Sequence, residues 1–233
     1  MSRVAAGMEW GEIERALFAD GYALTPDVLS ASECADLAAM YARDDLFRSR
    51  VQMEAHGFGH GQYRYFKYPL PPLIQSLREE LYEHLAPVAN RWMETLRMKE
   101  RFPDTQQALF DLCSTHGQTR PTALLLTYEP GDWNALHQDL YGEIAFPFQA
   151  TLFLSRPGED FTGGEFVLIE QRPRAQSRPE VIVPELGSML IFANRYRPVQ
   201  GKNGTYRTVI RHGVSRIRSG RRYALGIIFH DAK

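Results

Sequence analysis

The spacing of apolar residues changes at about residue 120 of this 233-residue chain. Before that point, three segments carry apolar side chains at helical spacing: 9–18, 31–42 and 73–98. After it, the apolar runs are short and separated by Gly, Pro, Asn and Asp, which is typical of strands joined by turns. The sequence therefore predicts a layer of helices followed by a β-structure.

Seven short candidate strands follow the helical part, and a further extended piece contains His137. The seven are 122–129, 148–155, 164–170, 180–184, 187–193, 206–214 and 222–230. Eight strands beside helices predict an α+β, mainly β fold, a double-stranded β-helix (jelly roll) with an N-terminal helical layer. We expect a single domain over 1–233, with 1–120 as a mainly helical support region and 121–233 as the jelly-roll catalytic core.

Two helix ends carry local signals in the sequence. Ser30 with Glu33 three residues later is the pattern of a capping box, in which each side chain binds the other residue's backbone N–H. Gly21 follows the first helical segment and predicts its end, because glycine readily adopts the left-handed conformation there.

The composition is that of an ordinary globular protein, with 44% hydrophobic and 24% charged residues. Cys34 and Cys113 are far apart and lack C-x-x-C spacing, which predicts reduced thiols. No stretch approaches the ~20 apolar residues of a membrane helix, and Met1 to Glu14 has early acidic residues instead of the apolar core of a secretory signal. We expect a cytoplasmic protein without a membrane partner; the sequence does not indicate its oligomeric state.

The tripeptide His137-Gln138-Asp139, with His212 further along, is the strongest candidate metal site. Two histidines and one carboxylate can occupy one face of an octahedral Fe(II) and leave three positions open. Residues two apart in an extended segment project to the same side, so His137 and Asp139 can bind one ion. A loop pair or a core histidine is the alternative. The other histidines compete less well as third ligand: His56, His60, His84, His116 and His230.

The residues around this site form an ordered series of short motifs. These are Tyr128-x-x-Gly131, Gly163-Gly164-Glu165, Pro184-x-x-Gly187, Arg211-His212-Gly213 and Gly220-x-Arg222. In this order they resemble the Fe(II)/2-oxoglutarate dioxygenases of the prolyl-hydroxylase-like type, over roughly Thr122 to Asp231. More narrowly, the chain is similar to the bacterial family of oxygenases described as acting on damaged nucleic acid.

The resemblance implies an oxidoreductase in which His137, Asp139 and His212 hold Fe(II). It implies 2-oxoglutarate as a small-molecule co-substrate and O2 as the oxidant. The substrate is hydroxylated. The narrower resemblance implies damaged nucleic acid as the substrate and partner, and hydroxylation of an N-methyl group there would release formaldehyde.

Two other functions stay open at this point. One is a hydroxylase of an amino acid, a peptide or a small metabolite with the same metal centre. The other is a jelly-roll binding module without turnover. AlkB-like demethylases carry Arg-x-Asn-x-x-x-Arg after the distal histidine, and no such run follows His212. This departure weighs against demethylation.

Arg222 is the candidate for binding 2-oxoglutarate. In strand alternation it shares a face with Ala224, Gly226 and Ile228, which suits a barrel interior. A buried guanidinium needs an anionic partner, and the distal carboxylate of 2-oxoglutarate would bind it in a bidentate manner. A protein carboxylate is the alternative partner. Tyr128 is a second candidate contact of the same carboxylate, or a core tyrosine, and Ala224 stands where some relatives have a serine.

Aromatic and basic residues near the expected site are candidates for binding the substrate. Tyr63, Arg64 and Tyr65 belong to a run that alternates rings with cations, as a surface for stacking bases and binding phosphates would. A strand of the main sheet would look the same. Trp133 and Tyr141 flank the metal tripeptide and are expected either to line the substrate mouth or to pack.

The span from Leu186 to His230 contains no Asp or Glu, although the net charge is only −1. Its cations are Arg195, Arg197, Lys202, Arg207, Arg211, Arg216, Arg218, Arg221 and Arg222. A positive field around the metal site would attract an anionic substrate, whereas solvated strand faces are the alternative interpretation. We expect weak, salt-sensitive binding to single-stranded nucleic acid.

Overall fold

A computed structural model describes residues 7–233 of the chain. The sequence predicts no secretory signal in Met1 to Glu14, and residues 1–6 of that segment lie outside the described residues. Within 7–233 the helices are α1 (Trp10–Asp20), α2 (Ala31–Ala39), α3 (Pro72–Thr95) and α4 (Gln106–Thr115). None of the helices in this part of the chain is long and apolar enough to cross a membrane.

Fifteen strands are present in the described residues. They are β1 (Tyr22–Thr25), β2 (Phe47–Gln52), β3 (Gly59–His60), β4 (Gln62–Phe66), β5 (Leu124–Tyr128), β6 (Trp133–His137), β7 (Phe148–Phe153), β8 (Phe161–Gly163), β9 (Phe166–Gln171), β10 (Arg178–Ile182), β11 (Met189–Ala193), β12 (Tyr196–Gly201), β13 (Gly204–Val214), β14 (Ile217–Gly220) and β15 (Arg222–Ile228).

Two antiparallel sheets dominate the fold. The larger sheet has the order β1-β11-β7-β15-β5-β4-β2, and the smaller has the order β10-β9-β13-β6-β3 with β12 paired to β13. A separate ladder joins β8 to β14. This mainly β arrangement with N-terminal helices confirms the predicted fold class.

The helical part of the chain also contributes strands. The three predicted helices correspond to α1, to α2 with a following 3-10 turn, and to α3. The capping box is confirmed, since the Ser30 hydroxyl accepts from the Glu33 N–H and the Glu33 carboxylate accepts from the Ser30 N–H. Gly21 is left-handed at the end of α1, as predicted. However, β1 to β4 lie before residue 120 and pair within the two main sheets, so residues before 120 also build the β-structure. The division into a support region and a catalytic core at residue 120 stays a prediction.

Helix α3 packs its apolar face into the main core. Leu77, Leu81 and Leu85 are buried there with aromatic residues of the neighbouring strands. Cys34 and Cys113 are buried free thiols, in agreement with the predicted absence of a disulfide.

A buried ion pair ties α3 to the last residues of the chain. The Arg78 guanidinium is fully buried and lies 2.7 Å from the Asp231 carboxylate. It also donates to the Ile228 carbonyl at 2.9 Å and to the Tyr68 hydroxyl at 2.9 Å. Breaking a buried pair from one side is costly, because the remaining charge keeps its desolvation penalty.

We therefore expect Asp231→Ala to lower the free energy of unfolding by about 3–5 kcal/mol. The control is Asp45→Ala, which removes the carboxylate of an exposed pair with Arg43 and should change the stability little, because exposed ion pairs contribute little. Urea unfolding of both variants measures the difference. Equal stabilities of the two variants would contradict a structural role for the buried pair.

Candidate metal centre

Three side chains predicted to bind metal come together between the two sheets. The ligand atoms of His137, Asp139 and His212 all lie within 4.8 Å of one another. One Asp139 oxygen is 3.7 Å from His137 Nε2, and the other is 3.4 Å from His212 Nε2. A single ion can therefore contact two nitrogen atoms and one carboxylate.

The pairing of β6 with β13 places the two histidines side by side. His137 and His212 are direct partners in the ladder, while the next partners are Asn134 and Val214. Between these two pairs the chain advances three residues along β6 but two along β13. This extra residue is a β-bulge, and bulges change the direction of nearby side chains. Gly213 permits this close approach, because a Cβ there would lie 2.6 Å from the Asn134 carbonyl oxygen.

Asp139 follows the end of β6 and is held by Asn194 and by Tyr141, which is supported in turn by Tyr65. Its backbone N–H donates to Asn194 Oδ1 at 2.9 Å, and the Asn194 amide donates back to the Asp139 carbonyl. The Tyr141 hydroxyl donates to Asp139 Oδ1 at 2.7 Å, and the Tyr65 hydroxyl donates to that of Tyr141 at 2.9 Å. Such supporting contacts orient a metal ligand.

The ring nitrogens of the histidines are arranged for ligation. His137 Nδ1 lies 2.7 Å from the Ala135 carbonyl, which assigns the proton to Nδ1 and leaves the Nε2 lone pair free. His212 is packed between the rings of Phe166 and Phe192. Burial, with the nearby His137, lowers the pKa of His212 to about 4. The ring is therefore neutral at neutral pH, as a metal ligand must be.

The carboxyl group of Asp139 is ionised at neutral pH. Burial opposes its ionisation, but the contacts with His212 and His137 outweigh burial and hold its pKa below the usual range. Tyr141 adds a hydrogen bond in the same direction. The three groups thus offer one anionic oxygen and two nitrogen lone pairs.

A cavity of about 370 Å³ adjoins the three ligands. One side of β15 lines it with Arg222, Ala224, Gly226 and Ile228. Phe58 also lines the cavity while 46% exposed, so it lies at the mouth.

Arg222 brings a positive charge into this cavity. Its side chain is only 2% exposed, and within residues 7–233 it forms no ion pair with a carboxylate. The guanidinium carbon lies 5.4 Å from the centre of the Tyr128 ring, and burial lowers the pKa of Arg222. Gly164 passes close by, since a Cβ there would lie 3.1 Å from Arg222 Cδ. A buried guanidinium in this state calls for an anion.

Tyr128 lies directly opposite Arg222 in the β5–β15 ladder. Its hydroxyl is 3.4 Å from the Asn134 amide nitrogen. Burial raises the pKa of Tyr128 to about 12, so the hydroxyl remains protonated and can donate.

Only some of the residues predicted to bind substrate line the cavity. Tyr63 and Tyr141 line the cavity, and Tyr65 reaches the metal centre only through its bond to Tyr141. Arg64 lies on the other face, where it pairs with Asp44 at 2.5 Å. Trp133 is 39% exposed and lies outside the cavity lining.

The remaining histidines lie away from the three ligands. His84 stacks on Trp10, His60 pairs with Asp132, and His230 accepts from the Phe146 N–H. His56 stacks on Phe58, and His116 follows the end of α4.

Sequence reasoning missed two polar residues that surround the ligands, Gln149 and Asn194. The Gln149 amide nitrogen is 3.1 Å from His212 Nε2, and Asn194 holds the Asp139 backbone. Each is a buried polar residue inside or next to an apolar strand, β7 for Gln149 and β11 for Asn194. Buried polar groups need partners, so this pattern is the signal that could have identified them.

A family model described as "Oxygenase, catalysing oxidative methylation of damaged DNA" matches residues 61–232. The chain belongs to this oxygenase family. The family membership and the enzyme class predicted from the sequence, an oxygenase, are thereby confirmed.

Several known proteins are similar to this oxygenase in sequence or in fold. The Uncharacterized protein Rv2227 of Mycobacterium tuberculosis strain H37Rv is 49% identical over 167 residues, which cover 72% of each chain. A prolyl-4-hydroxylase of Pseudomonas putida has a TM-score of 0.58 at 15% identity, over 96% of this chain and 99% of that one. A 2OG-Fe(II) oxygenase family oxidoreductase of Burkholderia pseudomallei also has a TM-score of 0.58, at 16% identity over 97% and 93%. These structures share the fold of the chain.

Proposed function

We propose that this oxygenase is an Fe(II)- and 2-oxoglutarate-dependent dioxygenase. His137, Asp139 and His212 hold the iron, and Arg222 binds the distal carboxylate of 2-oxoglutarate with Tyr128 as a second donor. One observation carries the proposal: a buried guanidinium that no carboxylate of residues 7–233 pairs with lies in the same cavity as two histidines and an aspartate.

The donor set fits iron of this kind. Two neutral imidazoles and one ionised carboxylate form a facial triad and leave open positions for a chelating co-substrate and O2. When bound, Fe(II) and 2-oxoglutarate supply the oxidation of the substrate by O2, with succinate and CO2 as the other products.

The protein's own contribution is binding, orientation and exclusion of water. Arg222 fixes one end of the co-substrate by charge-assisted hydrogen bonds. Tyr141 holds one oxygen of Asp139, so that the other oxygen keeps its direction toward His212. Apolar side chains of Leu124 and Ile228 line the same cavity and keep water from it.

We further propose that the substrate is a damaged base in nucleic acid, with hydroxylation of an N-methyl group followed by loss of formaldehyde. The family description supports this class of substrate. The aromatic residue Phe58 at the mouth of the cavity also supports it, because exposed aromatic rings stack on unpaired nucleic-acid bases.

Incubation with an N-methylated single-stranded oligonucleotide tests the substrate class. We expect formaldehyde and succinate in equal amounts, and no formaldehyde from the unmodified oligonucleotide of the same sequence. Succinate formation stimulated by a peptide or a free amino acid, and not by any oligonucleotide, would favour the alternative hydroxylase.

The contact between Tyr141 and Asp139 gives a prediction on metal affinity. We expect Tyr141→Phe to weaken Fe(II) binding about 10–100-fold, which is the usual effect of losing a hydrogen bond to a metal ligand. Anaerobic titration of the purified protein with Fe(II) measures the affinity. Tyr206→Phe, at a 36% exposed position, is the matched control. An unchanged affinity in Tyr141→Phe would show that Asp139 is held without the tyrosine.

A further inference from the structure

Two arginines lie against one tyrosine on the surface near the cavity. The guanidinium carbon of Arg195 is 4.5 Å from the centre of the Tyr196 ring, and that of Arg207 is 4.4 Å from it. Both arginines are exposed, and Tyr196 is partly buried. We call Arg195, Tyr196 and Arg207 the arginine clamp.

The β12–β13 hairpin builds the clamp on a fixed support. Tyr196 pairs with Val209, and Arg207 pairs with Pro198 two positions away, so Tyr196 and Arg207 lie on one face of the hairpin. The Tyr196 carbonyl accepts from the Trp92 indole of α3 at 2.8 Å. The tyrosine is therefore anchored through its backbone while its ring carries the two cations.

The two guanidinium groups of the clamp have no counter-ion in the described part of the chain. Arg197 and Arg221, from the same acid-free span, pair with Glu170 and Glu129. Neither Arg195 nor Arg207 lies within ion-pair distance of a carboxylate of residues 7–233. Two like charges held on one ring repel each other, and a bound anion would relieve that repulsion.

The backbone at Arg195 is linked to the metal centre through two intermediate residues, Gln138 and Asn194. Gln138 lines the cavity next to His137, and its amide donates to the Ile210 carbonyl at 2.7 Å and lies 3.4 Å from the Arg195 carbonyl. Asn194, which holds the Asp139 backbone, immediately precedes Arg195. The clamp side chains thus lie outside the cavity lining, and Arg195 and Tyr196 line a neighbouring pocket that is separated from the cavity by Leu140, which lines both.

We propose that the arginine clamp binds backbone phosphates of the nucleic-acid strand whose base enters the cavity. This inference rests on the proposed nucleic-acid substrate and assigns it a contact. Guanidinium groups match phosphate geometry with paired N–H donors, and stacking on a ring orients them in advance. Phosphate contacts of this kind position a strand without reading its sequence.

Binding of a fluorescently labelled single-stranded oligonucleotide to the full chain, measured by anisotropy over a range of salt concentrations, tests the clamp. The variant is the double substitution Arg195→Gln with Arg207→Gln. Its control, Arg216→Gln with Arg218→Gln, removes two exposed arginines of the same acid-free span. Both variants lower the net charge by two, so a difference in their affinity for the oligonucleotide reflects where the arginines lie and not the net charge.

We expect the clamp variant to bind at least ~10-fold more weakly at low salt. Its slope of log affinity against log salt should fall by about 1.4, since each phosphate contact on a single strand contributes ~0.7. The control should keep most of the wild-type slope. Equal losses in both variants would overturn the clamp and indicate a diffuse positive field, and the proposed substrate would stand.

Absence of binding by the wild-type protein at low salt would overturn the clamp together with the nucleic-acid substrate. Succinate formation by the same wild-type preparation without an oligonucleotide would then show that the dioxygenase proposal itself had not failed.

Discussion

Replacement of Arg222 by leucine will raise the concentration of 2-oxoglutarate required for half-maximal turnover more than about a hundredfold. The buried guanidinium is the one we expect to bind the distal carboxylate, and losing a charge-assisted, two-pronged contact costs about 3 kcal/mol. Steady-state succinate formation as a function of 2-oxoglutarate concentration measures the change.

The neighbouring residue supplies the matched control for Arg222→Leu. Arg221 is exposed and pairs with Glu129 on the surface, so Arg221→Leu should leave the 2-oxoglutarate requirement within about twofold, since surface ion pairs contribute little. Equal effects of the two substitutions would contradict the assignment of the co-substrate to Arg222.

Arg222→Leu also has an expected effect on stability in the absence of ligand. A buried charge without a carboxylate partner in residues 7–233 is unfavourable, so removal of the Arg222 charge should leave the free energy of unfolding unchanged or raise it. Urea unfolding of the metal-free protein tests this independently of turnover. A loss of several kcal/mol would mean that the guanidinium stabilises the fold itself.

Substitution of any one metal ligand will abolish Fe(II)-dependent turnover. We expect His137→Ala, Asp139→Ala and His212→Ala each to weaken Fe(II) binding by over a hundredfold, because each removes one of the three proposed ligands. Anaerobic titration with Fe(II) measures binding, and circular dichroism checks that the variant is folded.

His60→Ala is the control for the ligand substitutions. His60 pairs with Asp132 and Glu54 outside the cavity, so its loss should leave Fe(II) binding unchanged. Full activity in a folded His212→Ala protein would contradict the choice of third ligand and point to another histidine.

The face on which a strand residue lies could be predicted where side chains of different kinds alternate along the sequence. In β15, Arg222 and the small residues Ala224 and Gly226 share one face in the sequence, and they line one cavity in the structure. The run from Tyr63 to Tyr68 was open to two interpretations. The structure places most of it in β4 of the larger sheet, with Tyr63 and Arg64 on opposite faces.

Features that depend on a partner distant in sequence could not be predicted. The bulge that brings His137 beside His212 arises from the register with β13 and from the close approach at Gly213. The contact of Asn194 with the Asp139 backbone likewise exists only once the chain has folded. Helix α4 buries Gln106, Leu109 and Cys113 at helical spacing, but one of the three is polar, so the apolar pattern in the sequence is weak. Strand β1 has only four residues, too few to show an alternation.

The measurement that tests the central proposal most directly is succinate formation from 2-oxoglutarate by the purified protein without added substrate. We predict slow formation that requires Fe(II) and O2 together, and that is lost in the folded Asp139→Ala variant. Succinate at the same rate in that variant, or none from the wild-type protein loaded with Fe(II), would contradict the account.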